Sequence, residues 1–292
     1  MRTAFEKANA KINLFLEVLG KRDDGYHEIE TVMAPISLCD EVELTLTESG
    51  ISLDVDAAGC ERVSDIEVLS EKDNLAYKAA EEFFAFLDEK NVPHGGACIK
   101  IHKNIPVRSG LAGGSADAAA SLRALNSLFD GVLDEEELLT IAEKLGSDVP
   151  FCVLSRIALC RGRGEEMTVI ESTSELHGVL TLEDDEKLST GAAYSKIDFY
   201  NENEKTVLRC SDDMVRALEL GDAEIVKKEL YNVFEKACGY STGASEIMRE
   251  AGTDNVTLTG AGPAVFTLTS DSELCEKIAS ALRVSGYPAY VF

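Results

Sequence analysis

Positive charge is scarce in this sequence: Lys and Arg total 28 against 53 for Asp and Glu, a net charge of −25. A general nucleic-acid surface needs the opposite balance, so nucleic acid is not expected as a partner. The deficit does not exclude an anionic ligand, because a nest of backbone N–H groups binds phosphate even inside an acidic protein. It favours solubility and repulsion from anionic membranes. Long apolar runs are also missing, which excludes a helical membrane span. The opening MRTAFEKANAKINLFLEVLG lacks the charged, apolar and cleavage regions of a secretory signal, and the expectation is a cytoplasmic protein. The eight cysteines contain no CxxC and are scattered from Cys39 to Cys275, so they read as reduced, mostly buried thiols.

Standard fingerprints are absent too. There is no GxxxxGK[ST] for an ordinary P-loop and no GxGxxG for a dinucleotide fold. GxSxG is missing, which weakens a hydrolase reading.

What is present is an α+β pattern over 292 residues, a length that suggests two domains. INLFLEV (12–18), DEVELTLT (40–47) and ISLDVD (51–56) read as strands, with KRDDGYHE as a polar turn. A helix over about 73–90 can be capped by Asp73 or Asn74, and ACIKIHKNIP (97–106) reads as a strand ended by Pro106. SADAAASLRALNSLF and DEEELLTIAEKLG read as helices, the second stopping at Gly146. SDVPFCVL, a strand-like ALC and the turn RGRGEE follow. ESTSE interrupts the pattern, placing a boundary near 165–175 and domains at 1–168 and 169–292. The second half offers a strand at 177–183, an acidic loop, helices near 211–220 and 222–237, and a strand–glycine turn–strand in NVTLTGAGPAVFTLT. A helix at 272–285 and a strand at 289–292 complete it.

The segment Pro106-Val-Arg-Ser-Gly110-Leu111-Ala112-Gly113-Gly114-Ser115 lies between a strand and a helix. Glycines allow close backbone approach, and a helix start presents unpaired N–H groups with a positive dipole end. That suits a phosphate; the plain alternative is a tight turn capping a structural helix. Ser115 can cap the helix or meet a phosphate or Mg²⁺. A second candidate is Gly146-Ser-Asp148-Val-Pro150, where Asp148 either forms a local Asx turn or orients and deprotonates a hydroxyl. Lys11 opens an otherwise buried strand, either snorkelling to solvent or stabilising charge on a transferring phosphoryl group.

Taken together, PVRSGLAGGSADAAA, GSDVPF and LTGAGPAVF resemble the three motifs of the GHMP small-molecule kinases. AKINLFLEVLGKRDDGYHEIETVM is similar to the branch of that family whose alcohol substrate carries a cytidine diphosphate group. The resemblance covers residues 8 to about 268 and implies a two-domain sandwich. Its N-terminal domain would resemble the ribosomal protein S5 domain 2-like fold, its C-terminal domain would be ferredoxin-like, and ATP and substrate would bind in the cleft between halves. It implies ATP and Mg²⁺ as cofactors, a small cytidylyl substrate, and a monomer or weak homodimer.

Carried over position by position, the resemblance makes Lys11 and Asp148 the catalytic pair, with Asn13 beside them. Tyr26 and His27 would recognise cytosine, with Tyr194 closing the stack. Asn74, Leu75, Lys103 and Pro106 would line the ATP site, and Gly110, Leu111, Ala112, Gly113, Gly114 and Ser115 would cradle its phosphates. Gly260 and Gly262 would form a turn near the substrate, while no metal ligand is assigned beyond Ser115 as a candidate. Departures from the pattern are Arg108, expected to face solvent, Arg156 where glycines are usual, the missing Lys-Pro in TLEDDEKLSTGAAY, and Ala261 in place of serine. A mevalonate, homoserine or sugar kinase is the nearest alternative, but it would give Tyr26 and His27 no pyrimidine to bind. A catalytically silent nucleotide-binding protein would be expected to have lost Lys11, Asp148 or the loop glycines.

Overall fold

The alternation in DEVELTLT survives folding as a buried face of Val42 and Leu44 beside exposed Glu41. The computed structural model describes residues 2–58, 71–172, 176–183, 188–203, 207–238 and 242–292. Cys60, residues 173–175 of the expected boundary and residues 184–187 of the acidic loop lie outside them. The chain forms two compact units, neither of which is one continuous stretch. The first comprises Met1–Ala10, Ser37–Arg108 and Ala112–Ser155; the second comprises Lys11–Ile36, Ser109–Leu111 and Arg156–Phe292. Two long strands, β1 (Thr3–Lys21) and β2 (His27–Thr47), contribute residues to each.

In the first unit, β3 (Ile51–Asp56) runs parallel to β4 (Gly96–His102), and β4 runs antiparallel to β2. The register sets Val42 opposite Ile101 and Leu44 opposite Ile99, so apolar partners share a face. Helix α1 (Leu75–Glu89) is capped by Asn74, whose Oδ1 accepts from the Ala76 N–H at 2.8 Å. Its Ala79, Ala80, Phe83 and Leu87 are buried. Helix α2 (Gly113–Leu128) packs on α1, and its Ala116, Ala118, Ala119 and Ala120 are all buried. A capping box between Asp134 and Glu137 starts α3 (Glu135–Leu145), which ends at Gly146 as its sequence predicts. A six-residue helix, α4 (Val149–Leu154), carries Pro150 in its first turn, where a missing N–H costs nothing.

β4 ends at His102 rather than running on to Pro106. The Asp40 carboxylate accepts the N–H groups of Asn104 (2.6 Å) and Ile105 (2.7 Å), diverting them from any ladder.

In the second unit, β5 (Ala158–Arg161) pairs antiparallel with β2 at Thr31–Met33 and with β6 (Glu166–Val169). A separate antiparallel sheet, again among the described residues, has the order β11-β7-β10-β9, formed by Tyr290–Val291, Gly178–Leu182, Ala264–Leu268 and Val256–Leu258. Helices α9 (Gly243–Ala251) and α10 (Ser272–Val284) pack together, and α10 lies against β7. Phe266, Ile278 and Leu282 are fully buried there, each worth roughly 1.5–3 kcal/mol of transfer free energy.

The expected helix over 222–237 is broken. It forms α7 (Ala223–Glu229), the short β8 (Tyr231–Asn232) and α8 (Val233–Cys238), after α6 (Asp212–Leu220). Pairing of Tyr231 and Asn232 with Phe15 and Leu16 of β1 overrides the helical preference. Three helices carry no sequence expectation: α4, which falls in SDVPFCVL, α5 and α9. In α5 (Thr190–Asn203), Ala193 and Ile197 are the fully buried apolar residues, and α9 hides its stripe among small side chains such as Ala244 and Ser245.

None of the seven described cysteines forms a disulfide, and Cys152, Cys160, Cys238 and Cys275 are buried. Among the described residues no helix is long and apolar enough to cross a membrane.

Candidate active site

In the first unit the glycine segment delivers the start of α2. Ala112, with φ 58°, precedes it in the left-handed region, so the helix opens on Gly113 and Gly114 with its first N–H groups unblocked by a side-chain cap. A Cβ on Gly113 would stand 3.2 Å from Ile105 Cγ2 and 3.5 Å from Lys103 Nζ. One on Gly114 would meet Leu75 Cδ1 at 3.9 Å. The structure therefore brings Leu75, Lys103, Gly113 and Gly114 together, with Ser115 half-buried in the same turn and Pro106 buried just before it. Asn74 is engaged in capping α1. Arg108 is exposed, the orientation its sequence position suggested.

Lys103 is buried, and its ammonium donates to Oδ2 of Asp40 and, at 2.6 Å, to Oδ2 of Asp117. Burial works to lower its pKa, but Asp117 and Asp40 outweigh that and raise it. One ammonium cannot neutralise two buried carboxylates. Burial pushes the Asp117 carboxyl up to about 7 despite the attraction of Lys103, and its Oδ1 has no hydrogen-bond partner. The cluster ties β2, the end of β4 and the first turns of α2 into one support behind the glycine segment.

Asp148 directly precedes α4, half-buried, with φ −89° and no side-chain bond capping the helix. An Asx turn would take the N–H two residues on, and that residue is Pro150, which has none. Gly146 and Pro150 thus fix a carboxylate that the local backbone does not consume.

In the second unit, Lys11 and Asn13 lie on the same face of β1 and are almost fully buried. Lys11 Nζ donates to Asn13 Oδ1 at 2.7 Å. The same oxygen accepts from the Gly260 N–H at 2.9 Å and from the Thr259 hydroxyl at 3.2 Å, while Asn13 Nδ2 donates to Thr31 Oγ1 at 2.8 Å. Asn13 is the anchor of the 259–262 turn. Gly110 and Leu111 join this group: the Lys11 N–H donates to the Leu111 carbonyl at 3.1 Å, and the Ala264 N–H to the Ser109 carbonyl at 3.1 Å. Gly260 has φ 56°, and a Cβ on it would sit 3.1 Å from the Gly110 carbonyl and 3.6 Å from Lys11 Nζ. Gly262 has φ 75°, and its N–H closes the turn onto Thr259. Asn232 Nδ2 holds the far side through the carbonyls of Leu258 and Gly260, both at 2.9 Å.

The aromatic residues of the same unit divide. Tyr26 is 55% exposed, with the Arg163 guanidinium 4.9 Å from its ring centroid. His27 stacks on Tyr194 at 4.5 Å, and Tyr194 stands edge-on to buried Phe234 at 5.3 Å.

Asp40, Asp117, Thr259, Asn232, Arg163 and Asp198 were not singled out from the sequence. Asp117 gave a visible signal, being a charged residue inside an alanine-rich helical run; the others gain meaning only from long-range contacts. Among the described residues no group of His, Cys, Asp and Glu gathers to hold a metal ion by itself. The half-buried Ser115 hydroxyl at the start of α2 is an oxygen donor of the kind a divalent cation takes, and a single such donor would suit a cation whose other oxygens come from a ligand's phosphates.

Residues 74–156 match the family described as GHMP kinases N terminal domain, and residues 214–288 match GHMP kinases C terminal. The 4-diphosphocytidyl-2-C-methyl-D-erythritol kinase of Desulfitobacterium hafniense is 38% identical over 289 residues, covering 97% of this chain and 93% of its own. That of Caldicellulosiruptor saccharolyticus is 36% identical over 282 residues, covering 95% and 92%. A crystal structure of 4-(cytidine 5'-diphospho)-2C-methyl-D-erythritol kinase matches with a TM-score of 0.74 at 28% identity, covering 99% of this chain and 98% of that one.

Proposed function

This chain belongs to the GHMP kinases, and we propose on that premise that it transfers the γ-phosphoryl group of ATP to the 2-hydroxyl of 4-diphosphocytidyl-2-C-methyl-D-erythritol, a step of the non-mevalonate route to isoprenoids. The observation that carries the reading is similarity over nearly the full length of relatives bearing that activity's name. The Gly25-Tyr26-His27 segment supports it, since a mevalonate or homoserine kinase has no base to receive.

Phosphoryl transfer asks a protein mainly to position two reactants and neutralise charge. We assign the phosphates of ATP to the N–H groups that open α2 at Gly113, Gly114 and Ser115. As the substrate's 2-oxygen bonds to the γ-phosphorus, the bridging bond to ADP breaks and the hydroxyl proton passes to Asp148. The alcohol is a very weak acid, so Asp148 takes the proton late in that process. Lys11, held by Asn13, supplies fixed positive charge to the transferring group. Mg²⁺ bound to the phosphates would neutralise further charge, with Ser115 as its protein contact. Tyr26 offers an exposed ring face to the cytosine, and His27 reads the base's polar edge.

The test is ATP-dependent phosphorylation of the purified chain's alcohol substrates, with mevalonate and homoserine run beside the cytidylyl compound. Turnover of the cytidylyl alcohol alone is expected. Activity on another alcohol would keep the kinase and overturn the substrate.

A further inference from the structure

Helix α5 grips one imidazole by two side chains a single turn apart. Tyr194 stacks on the face of His27, with centroids 4.5 Å apart and planes inclined by 22°. Four residues on, and so on the same side of the helix, Asp198 places Oδ1 2.8 Å from His27 Nε2. Lys21 Nζ, at the end of β1, lies 3.6 Å from the other oxygen of Asp198. The His27 side chain is only 10% exposed, and Tyr194 is backed by Phe234. The ring's plane and its edge are therefore both determined.

A neutral imidazole has one N–H, and a carboxylate facing a ring nitrogen draws that proton to it. With Nε2–H donating to Asp198, Nδ1 is left as the acceptor. We infer that Asp198 is a positioning residue that holds His27 in the Nε2–H form, so that Nδ1 accepts from the exocyclic amine of a cytosine-type base and disfavours a uracil-type base, which presents a carbonyl there. The inference rests on the cytidylyl reading above and extends it from which residue meets the base to how that residue is made selective. Acceptor against acceptor leaves both groups unpaired, and such mismatches discriminate far more strongly than a missing methylene.

The experiment has two readouts. The first is the imidazole ¹⁵N spectrum, where the protein's four histidines make assignment through the loss of one signal in His27→Gln direct. Nδ1 of His27 is expected as the unprotonated nitrogen in the wild type, and as a mixture of forms in Asp198→Ala. The second is kcat/KM for the cytidylyl alcohol and for its uridylyl analogue. Asp198→Ala should raise KM for the cytidylyl compound about 10-fold or more, leave KM for ATP unchanged, and lower the cytidylyl preference by a similar factor. Asp198→Asn, nearly isosteric and still able to accept through its carbonyl, should change both in the same direction by less. It carries the test if the alanine variant does not fold. A wild-type Nδ1 that bears the proton overturns the inference, as does an unchanged base preference in both variants. A wild type inactive on the cytidylyl alcohol overturns the functional reading instead, and the nitrogen spectrum still decides the form of His27 by itself.

Discussion

A Cβ built on Gly110 would lie 2.7 Å from the carbonyl oxygen of Thr259, a separation that packed proteins do not tolerate. The glycine segment and the 259–262 turn touch backbone to backbone, with Gly110 at φ 89°. Gly110→Ala therefore meets both strain and a clash with main chain. It should lose about 3 kcal/mol or more of unfolding free energy in urea denaturation.

Gly114→Ala separates the two roles left open for this segment. Its new methyl would meet only Leu75 Cδ1 at 3.9 Å, and alanine favours a helix over glycine by about 1 kcal/mol. Stability should hold or rise slightly. If the α2 N-terminus holds the ATP phosphates, KM for ATP should rise at least about 10-fold, because the backbone can no longer be approached as closely. Unchanged ATP kinetics would return the segment to the status of a structural turn.

Asp148→Asn should leave folding within about 0.5 kcal/mol, since the carboxylate caps nothing and is half-buried. Turnover should fall by about 10²–10⁴, the usual loss when a proton acceptor is removed. Steady-state kinetics beside a thermal melt would decide, and unchanged turnover would remove Asp148 from that role.

The buried Lys103 cluster makes a pH prediction with a definite sign. Asp117 has an ordinary pKa of 3.8 and is pushed up to about 7 in the folded protein by burial, so between these values the folded state holds a proton that the unfolded chain has lost. Its stabilising contribution is complete below about pH 4 and fades as the pH rises towards 7. Asp117→Asn cannot titrate, so the wild type's stability relative to this variant should fall by a few kcal/mol across that window. Paired denaturation curves at pH 4.5 and 7.5 would show it; a wild type that loses no stability relative to the variant between the two would contradict the buried extra proton.

How far the sequence reveals this molecule depends on the range over which each feature is determined. The strand at 40–47, the Asn74 cap, the Asp134 start and Gly146 stop of α3, and α10 are written locally, in alternation and capping residues. The end of β4 and the break after Glu229 are not, because Asp40 and β1 impose them from far along the chain. At the site, Lys11, Asp148 and the glycines stand out through motif order. Lys103 stands out by the same means, yet its ammonium proves to be held by Asp40 and Asp117, separated from it by 63 and 14 positions. Contacts of that reach leave no periodic trace. Tyr194 is a third case: its helix has too sparse an apolar stripe to be read, so neither α5 nor the stack on His27 was visible beforehand.

Asn13 is the residue whose loss should do most harm for its size. It is a buried polar side chain on β1, and its amide oxygen accepts from Lys11, Thr259 and Gly260 at once. Asn13→Ala would strand a buried ammonium and a buried N–H, each costing about 1–3 kcal/mol when left without a partner. The 259–262 turn would also lose its anchor on β1. Asn13→Asp keeps the acceptor for Lys11 and Gly260 but presents an oxygen to Thr31 Oγ1, whose hydroxyl already donates to the Phe15 carbonyl at 2.6 Å. The alanine variant should therefore lose at least about 2 kcal/mol of stability, with the aspartate variant between it and wild type. The alanine variant should lower kcat more than it raises KM for ATP, because Lys11 would be released from its fixed position while the start of α2 is untouched; the aspartate variant, which keeps an acceptor for Lys11, should lower kcat less. Equal stability of all three proteins in chemical denaturation would mean that Asn13 anchors nothing, and the assignment of Lys11 as preorganised charge would fall with it.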